Sequence, residues 1–403
     1  MSQDANQYLL SKELLRFVYD HREDDVRQLA FHKDKYPEIN LSIALDAIQA
    51  RQKLKKKFPD WAEQPDFFVP HSVMVEQASS LETARYKERF IQDKSWVVLD
   101  LSGGLGGDSY ALSEKAGTVH YMDISEERTA IAEHNFKVLG RDNVICHSGA
   151  AEHEGLNLAE SIQPDLIFMD PDRRPEHKGR VFLLEDALPD ITELLPRLMT
   201  SVPKAELLVK LSPVIDLDYL KERLPIRFDI HMLGVRREAK ELILHIHPGA
   251  SYEQYAVEML GNHTMILHGT KLRNEIAIQS EIGQYMYDLY PTIAKIGLEH
   301  FYPNLTLWKP DRHTHLFFSE SLIRDFPGRT FKVLEHNMGD RRWLKQVCKE
   351  PLHLVAKNIP VQTDRLRQQF KIREGGNKFL FAFGNVDKKT QYVLAEIVTE
   401  DIE

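Results

Sequence analysis

Between residues 96 and 248 short apolar runs alternate with amphipathic segments: WVVLDL, TVHYM, NVICH, DLIFMD and ELLVKL. The runs have the length of strands, and segments of helical periodicity separate most of them. Such alternation calls for a parallel sheet with helices on both faces, because parallel neighbours must be joined by a crossover. The series ends differently. IRFDIHMLGV and KELILHIHP are separated only by RREA, and so short a connection joins antiparallel strands alone. The spacing therefore predicts an α/β core, mostly parallel, with an antiparallel last strand.

The flanking regions read otherwise. The first 70 residues are mainly helical in pattern, with Ile43, Leu45, Ile48 and Leu54 at helical spacings before the run Lys53, Lys55, Lys56, Lys57. That run is either a solvated helix end or a phosphate contact. After residue 250 the alternation stops, and THLFFS, LHLVAKN, KFLFAFG and QYVLAEIV mix with short helical stretches as in an α+β region. A chain of 403 residues is long enough for several cores. No apolar run approaches the roughly 18 residues that a membrane span requires. The opening MSQDANQYLLSKELLRF has no secretory pattern, and the two cysteines, Cys146 and Cys348, fit neither a disulfide framework nor a metal motif. A cytoplasmic protein with no metal and no membrane partner is expected. The net charge of -9 argues against wholesale coating of nucleic acid but leaves room for a local basic face.

The most informative stretch is WVVLDLSGGLGGDSYALSEKAG, residues 96–117. Asp100 closes the first strand, and the turn continues through Ser102, Gly103, Gly104, Gly106 and Asp108. Glycines let a backbone approach a ligand, and a carboxylate beside the turn can hold an ammonium group. In a dinucleotide fold the glycine fingerprint begins at the turn and the acidic residue closes the second strand. Here an acidic residue already closes the first; a plain strand-to-helix turn is the other reading. The second strand, TVHYMDIS, ends in Asp123, 23 residues further on. A carboxylate there can accept both hydroxyls of a ribose, in a nicotinamide dinucleotide or in S-adenosylmethionine alike. Ser125 is better placed than Asp123 to cap the following helix.

The spacing Asp-x-Ser-x-Gly-x-Gly resembles the first motif of the class I S-adenosylmethionine methyltransferases, with Ser102 replacing its first glycine. The resemblance implies a Rossmann-like class I sheet and S-adenosylmethionine as cofactor. It implies a cofactor site drawn from Asp100, Ser102, Gly103, Gly104, Gly106, Asp108, Asp123, Ile124 and Ala150. Those enzymes often carry an aspartate for the adenine amino group where this chain has Ala150, so either Glu152 or backbone groups meet the adenine. Residues 75–87, VEQASSLETARYK, resemble the segment that covers the cofactor in nucleic-acid adenine methyltransferases, with Gln77 as the contact; an amphipathic helix capped by Ser79 or Ser80 is the alternative. The fourth strand runs into DPDRRPEHKGR. Asp170-Pro171 stands where donor and acceptor should meet and resembles the motif of enzymes that methylate base amino groups, with Asp172 and Arg173 replacing the second proline and the aromatic. Asp170 and Pro171 are thus the expected catalytic pair, and Arg173 and Arg174 the expected phosphate contacts.

Taken whole, the chain resembles a bacterial family that joins such a core to a THUMP-like domain. EQASSLETARYK, DLSGGLGGDS, DPDRR and LHLVAKNIPVQTDRLRQQFKIREGGNKFLFAF carry the resemblance. It implies an N-terminal helical region (1–70), a methyltransferase domain (71–250), a ferredoxin-like linker subdomain (251–325) and an RNA-binding THUMP-like domain (326–403). Charge agrees: from Arg329 to Glu374, 11 lysines and arginines stand against five acids, and Arg341 and Arg342 lie beside Trp343. The expected activity is methylation of a nucleotide base in tRNA or rRNA, mainly by positioning the acceptor. Two rivals remain at this point: an RNA-binding scaffold without chemistry, and a small-molecule or protein methyltransferase.

Overall fold

The structure, a computed structural model, describes residues 8–173, 184–269, 276–297 and 306–398. The chain divides into two compact units. One runs to Val235 and takes in Lys240–Glu253; the other comprises Arg236–Ala239 and the chain from Gln254 onward.

In the first unit the strands are β1 (Val97–Asp100), β2 (Thr118–Asp123), β3 (Val144–Ser148), β4 (Leu166–Met169), β5 (Glu206–Leu211), β6 (Asp229–Val235) and β7 (Glu238–Ile246). Their spatial order is 3-2-1-4-5-7-6. β1 to β5 pair in parallel, whereas β7 runs antiparallel to β5. All four residues of β4 are buried, as expected of a central strand covered on both faces. The β6–β7 turn is tighter than RREA suggests, because the strands extend until only Arg236 and Arg237 remain between them, at φ of 51° and 66°. Two successive positive φ values form the kind of turn whose twist matches an antiparallel pair. β1 lies between β2 and β4, so chain connections diverge to either side of it. The crevice at its carboxyl end is where open α/β sheets bind ligands.

The N-terminal helices belong to this unit. Leu14, Ile48 and Phe68 cluster with Ile131 of the helix that follows β2, while Leu54, Phe58 and Trp61 pack with Leu105 and Tyr110 beside the glycine turn. Full burial of one such aromatic is worth about 1.5–3 kcal/mol. The lysine run is occupied by the protein itself. Lys53 pairs with Glu76 and Lys55 with Glu23. Lys57 Nζ donates to the carbonyls of Val75 (2.7 Å), Glu76 (3.0 Å) and Ala78, and so holds the end of the helix Ser72–Gln77.

The second unit opens with an antiparallel hairpin, β8 (Gln254–Leu260) and β9 (His263–His268). An eight-stranded sheet follows: β10 (Ala277–Ile278), β11 (Tyr285–Leu289), β12 (Trp308–Lys309), β13 (Leu316–Ser319), β14 (Gly328–Asn337), β15 (His353–Lys357), β16 (Lys378–Gly384) and β17 (Thr390–Ile397), in the order 10-12-13-11-14-17-16-15. β11 pairs with β14, so strands on either side of residue 326 share this sheet. β15 and β16 are parallel and joined through the helix Thr363–Phe370. Leu366 of that helix and Leu344 of Arg341–Val347 pack on Leu354, Leu380, Ala382 and Leu394. Met286, Phe331, Phe381 and Val393 form a separate cluster.

Candidate active site

The turn after β1 is held from inside. Asp100 is only 1% exposed. Its Oδ1 accepts from the Ser102 N–H (3.0 Å) and hydroxyl (3.3 Å), and its Oδ2 from the Ser109 hydroxyl (2.6 Å). Burial raises its carboxyl to about 7 even though these donors pull it down. With both oxygens engaged, Asp100 organises the turn and does not line the cavity above it. Gly103 lies against Tyr121, where a Cβ would fall 2.0 Å from the ring. Gly104 is the opposite case: φ is +54°, and its missing Cβ would have only the Ser102 carbonyl nearby, at 3.7 Å. Its backbone therefore stands open to the cavity. Tyr121 fixes it from behind by donating to the Gly104 carbonyl at 2.8 Å. Gly106, at φ +86°, caps the helix Gly107–Ser113 and packs on Phe136.

The cavity, about 170 Å³, lies over this turn at the carboxyl ends of the strands. Gln77, Ser79, Ser102, Gly103, Gly104 and Asp108 line one part of it; Asp123, Ile124, Arg128, Gly149 and Glu152 another; Asp170, Asp172, Leu188 and Pro189 close it. Asp123 is anchored at the end of β2. Its Oδ2 accepts from the Gly104 N–H (3.2 Å), and its Oδ1 from the Ser125 N–H (2.8 Å) and Arg128 Nε (2.9 Å). Ile124 and Leu188 are 60% and 43% exposed, which puts apolar side chains into the same cavity. Ala150 does not reach it, and its N–H is taken by Glu154 Oε2 at 2.9 Å; Glu152 does reach it.

At the other end a connected set of charges runs behind the wall. Lys87 is fully buried, with Nζ 2.6 Å from Asp108 Oδ1, 2.7 Å from Glu241 Oε2 and 3.3 Å from Ser79 Oγ. The Ser79 hydroxyl donates to Asp108 Oδ2 (2.8 Å) and accepts from Lys210 Nζ (3.1 Å). Lys210 Nζ then lies 2.5 Å from Asp170 Oδ2. Thr83 donates to Glu241 Oε1 at 2.6 Å. The Asp170 N–H donates to Ser102 Oγ at 2.6 Å, tying the end of β4 to the glycine turn. Burial raises Asp170 to about 6 against the pull of Lys210. Burial would raise Glu241 as well, but Lys87 and Lys210 hold it down to about 2. Burial opposes the charge on Lys210, yet Asp170 and Glu241 keep it protonated. Asp172 is raised by burial, with Lys210 and Arg128 acting the other way.

Pro171 is buried directly after Asp170. Arg174 and the Arg173 side chain lie outside the described residues. Arg341 and Arg342 belong to the second unit, where both are exposed on the helix Arg341–Val347.

Residues 328–396 match the THUMP domain-like family. Over 306 residues, 74% of this chain and 80% of the relative, the chain is 24% identical to an uncharacterized S-adenosylmethionine-dependent methyltransferase found in two strains of Mycobacterium tuberculosis. A crystal structure from Porphyromonas gingivalis, provisionally assigned as a methyltransferase, matches with a TM-score of 0.83 and 28% identity across 99% of this chain and 100% of that one. The chain is a class I S-adenosylmethionine-dependent methyltransferase with a C-terminal THUMP-like domain.

The residues of the methyltransferase fit an adenosyl donor. The open Gly104 backbone, the Asp123 carboxylate and the exposed Ile124 and Leu188 offer a close approach, a partner for ribose hydroxyls and apolar surface for a base. Ser102, Asp108 and Gln77 line the same cavity beside the glycine turn. Sequence reasoning did not single out Arg128, Ser79, Lys87, Lys210 or Glu241 as site residues. One signal was present: Lys210 interrupts the otherwise apolar core strand LLVKL, where a charge needs a partner.

Proposed function

We propose that this methyltransferase acts on a nucleotide of an RNA, tRNA or rRNA, with the THUMP-like domain binding the RNA and Asp170 meeting the acceptor. One observation carries the reading: the THUMP domain-like match over residues 328–396 contains Arg341, Arg342 and Lys345 on one short helix, all exposed and without an ion pair among the described residues. Several other basic residues there are engaged, Arg329 and Lys357 by Asp288, Arg367 by Glu374 and Lys378 by Glu350. Free arginines on a surface are what a phosphate backbone recruits.

The donor supplies an electrophilic methyl group with a good leaving group. The protein's share is to hold it and to exclude water. Asp123 is the ribose partner, Gly104 allows the close approach, and Gln77 and Ile124 line the cavity around it. Asp170 and Pro171 stand at the acceptor side.

The test is filter binding of unmodified tRNA and rRNA fragments across a salt series. The reading expects log affinity to fall with log salt by about 0.7 per neutralised phosphate on single strands. R341A/R342A should lower that slope and weaken binding to many sequences alike. Equal binding by wild type and variant, or none by either, would refute it.

A further inference from the structure

At the acceptor side Asp170 lines the cavity, and the Lys210 ammonium stands beside it, 12% exposed, without lining the cavity itself. Asp170 Oδ2 is engaged by Lys210 Nζ at 2.5 Å, while Oδ1 has no hydrogen-bond partner among the described residues. Lys210 spends two of its three N–H groups, on Asp170 and on Ser79. Among the described residues this leaves one acceptor on Asp170 and one N–H on the adjacent Lys210 without a partner. An exocyclic amine of a base has two hydrogens to donate and develops positive charge on nitrogen as it is methylated. It therefore suits two acceptors and no neighbouring cation. A hydroxyl has one hydrogen to donate and lone pairs to accept with, and its oxygen must shed a proton. From this pairing we infer that the acceptor atom is a hydroxyl oxygen, and in an RNA substrate the ribose 2′-hydroxyl.

The rest of the charge set explains how the pair keeps its form. Lys210 is largely enclosed on β5, where desolvation works against an isolated ammonium. Asp170 and Glu241 hold it charged, and Ser79 fixes its direction. Lys87 balances Glu241 and Asp108 in turn and is enclosed completely, so it acts as a positioning residue. The acceptor oxygen donates to Asp170 and accepts from Lys210, which lowers the barrier to losing its proton. As the C–O bond forms, the proton passes to Asp170 and the electron pair of the broken C–S bond stays on sulfur. The raised carboxyl of Asp170 makes it a better proton acceptor than an ordinary aspartate.

This inference rests on the RNA reading, and one experiment separates the two. Total RNA from a host lacking this protein is incubated with the full chain and methyl-labelled S-adenosylmethionine, then hydrolysed in alkali. A methylated 2′-oxygen cannot attack the neighbouring phosphate, so its label survives in dinucleotides, whereas a methylated base is released as a mononucleotide. Label in dinucleotides is expected. Label in mononucleotides overturns the hydroxyl assignment and leaves the RNA reading standing. RNA without label, from protein that binds S-adenosylhomocysteine, overturns both. Lys210→Met should lower transfer roughly 100-fold or more, and Lys210→Arg should recover part of it. Binding of S-adenosylhomocysteine, measured by calorimetry, should change less than about threefold in both variants, because Lys210 does not line the donor end. The same loss of binding as of transfer would show a structural role and sink the assignment of Lys210.

Discussion

Asp123→Ala tests the donor site most directly. The Asp123 carboxylate already accepts two donors on Oδ1 and the Gly104 N–H on Oδ2. A ribose diol must therefore compete with Arg128 for Oδ1 or share Oδ2 with Gly104. Counting one net hydrogen bond to a charged acceptor, the loss is about 1.5–3 kcal/mol. At about 1.4 kcal/mol per decade, the dissociation constant for S-adenosylhomocysteine should rise roughly 10- to 150-fold. Calorimetry on the full chain measures it. Asp123→Asn keeps the shape and one acceptor oxygen, and should fall between wild type and Asp123→Ala. Arg128→Ala should weaken binding less than Asp123→Ala, because it frees Oδ1 for the diol while removing only a neighbour. Thermal unfolding without ligand checks that the turn survives. An Asp123→Ala protein that is folded and binds within about threefold of wild type would refute the ribose assignment.

Three further outcomes follow from the buried charges. Lys87→Met strands Asp108 and Glu241 and should lower the stability of the first unit by about 3–5 kcal/mol, the scale for breaking a buried pair; adding Glu241→Gln should recover part of this, and denaturant curves matching wild type would refute the pairing. Methyl transfer should rise as pH increases through about 6, because Asp170 must be ionised to accept a proton; a rate that is flat from pH 5 to pH 7.5 contradicts that role. Asp100 sits at about 7 in the folded chain against an ordinary 3.8, so the folded state retains a proton that the unfolded chain loses and stability falls as pH rises from about 4 to 7; Asp100→Asn should flatten that part of the stability profile, and an unchanged slope would refute it.

The sheet was legible in the sequence because its strands are buried on both faces and so read as apolar runs. Asp123 was legible for a related reason, since the run TVHYM marks the strand end that places it. The role of Asp100 was not. Spacing shows an acid after the first strand, but only the fold brings Ser109 from the next helix onto its second oxygen and closes it off from the cavity. The lysine run was ambiguous in sequence, since a solvated helix end and a phosphate contact have the same composition. Packing decides it, because Lys57 is turned onto three carbonyls of a neighbouring helix end. The charge set was least legible of all. Its members come from the segment before β1, the helix after it, the end of β4 and strands β5 and β7; Lys87 and Glu241 alone look like ordinary surface charges, and nothing in the spacing links them to Asp108, Asp170 or Lys210.

The composition of that set bears on the reaction. Asp108, Asp170 and Glu241 carry three negative charges, and Lys87 and Lys210 carry two positive ones, which leaves one negative charge in a poorly hydrated place. Desolvated net charge is unfavourable by several kcal/mol unless a counter-charge is near. A sulfonium donor supplies that counter-charge, so the connected site and its donor are neutral together. When a hydroxyl is methylated and its proton moves to Asp170, the donor loses its positive charge and the site loses its negative one. Neutrality is kept on both sides of the step. When an amine is methylated without proton transfer to Asp170, the site stays negative and the cation moves onto the product, which must then lose a proton elsewhere. The charge count thus agrees with the hydrogen-bond count at Asp170 and Lys210, although it draws on Lys87, Asp108 and Glu241, which no acceptor needs to touch.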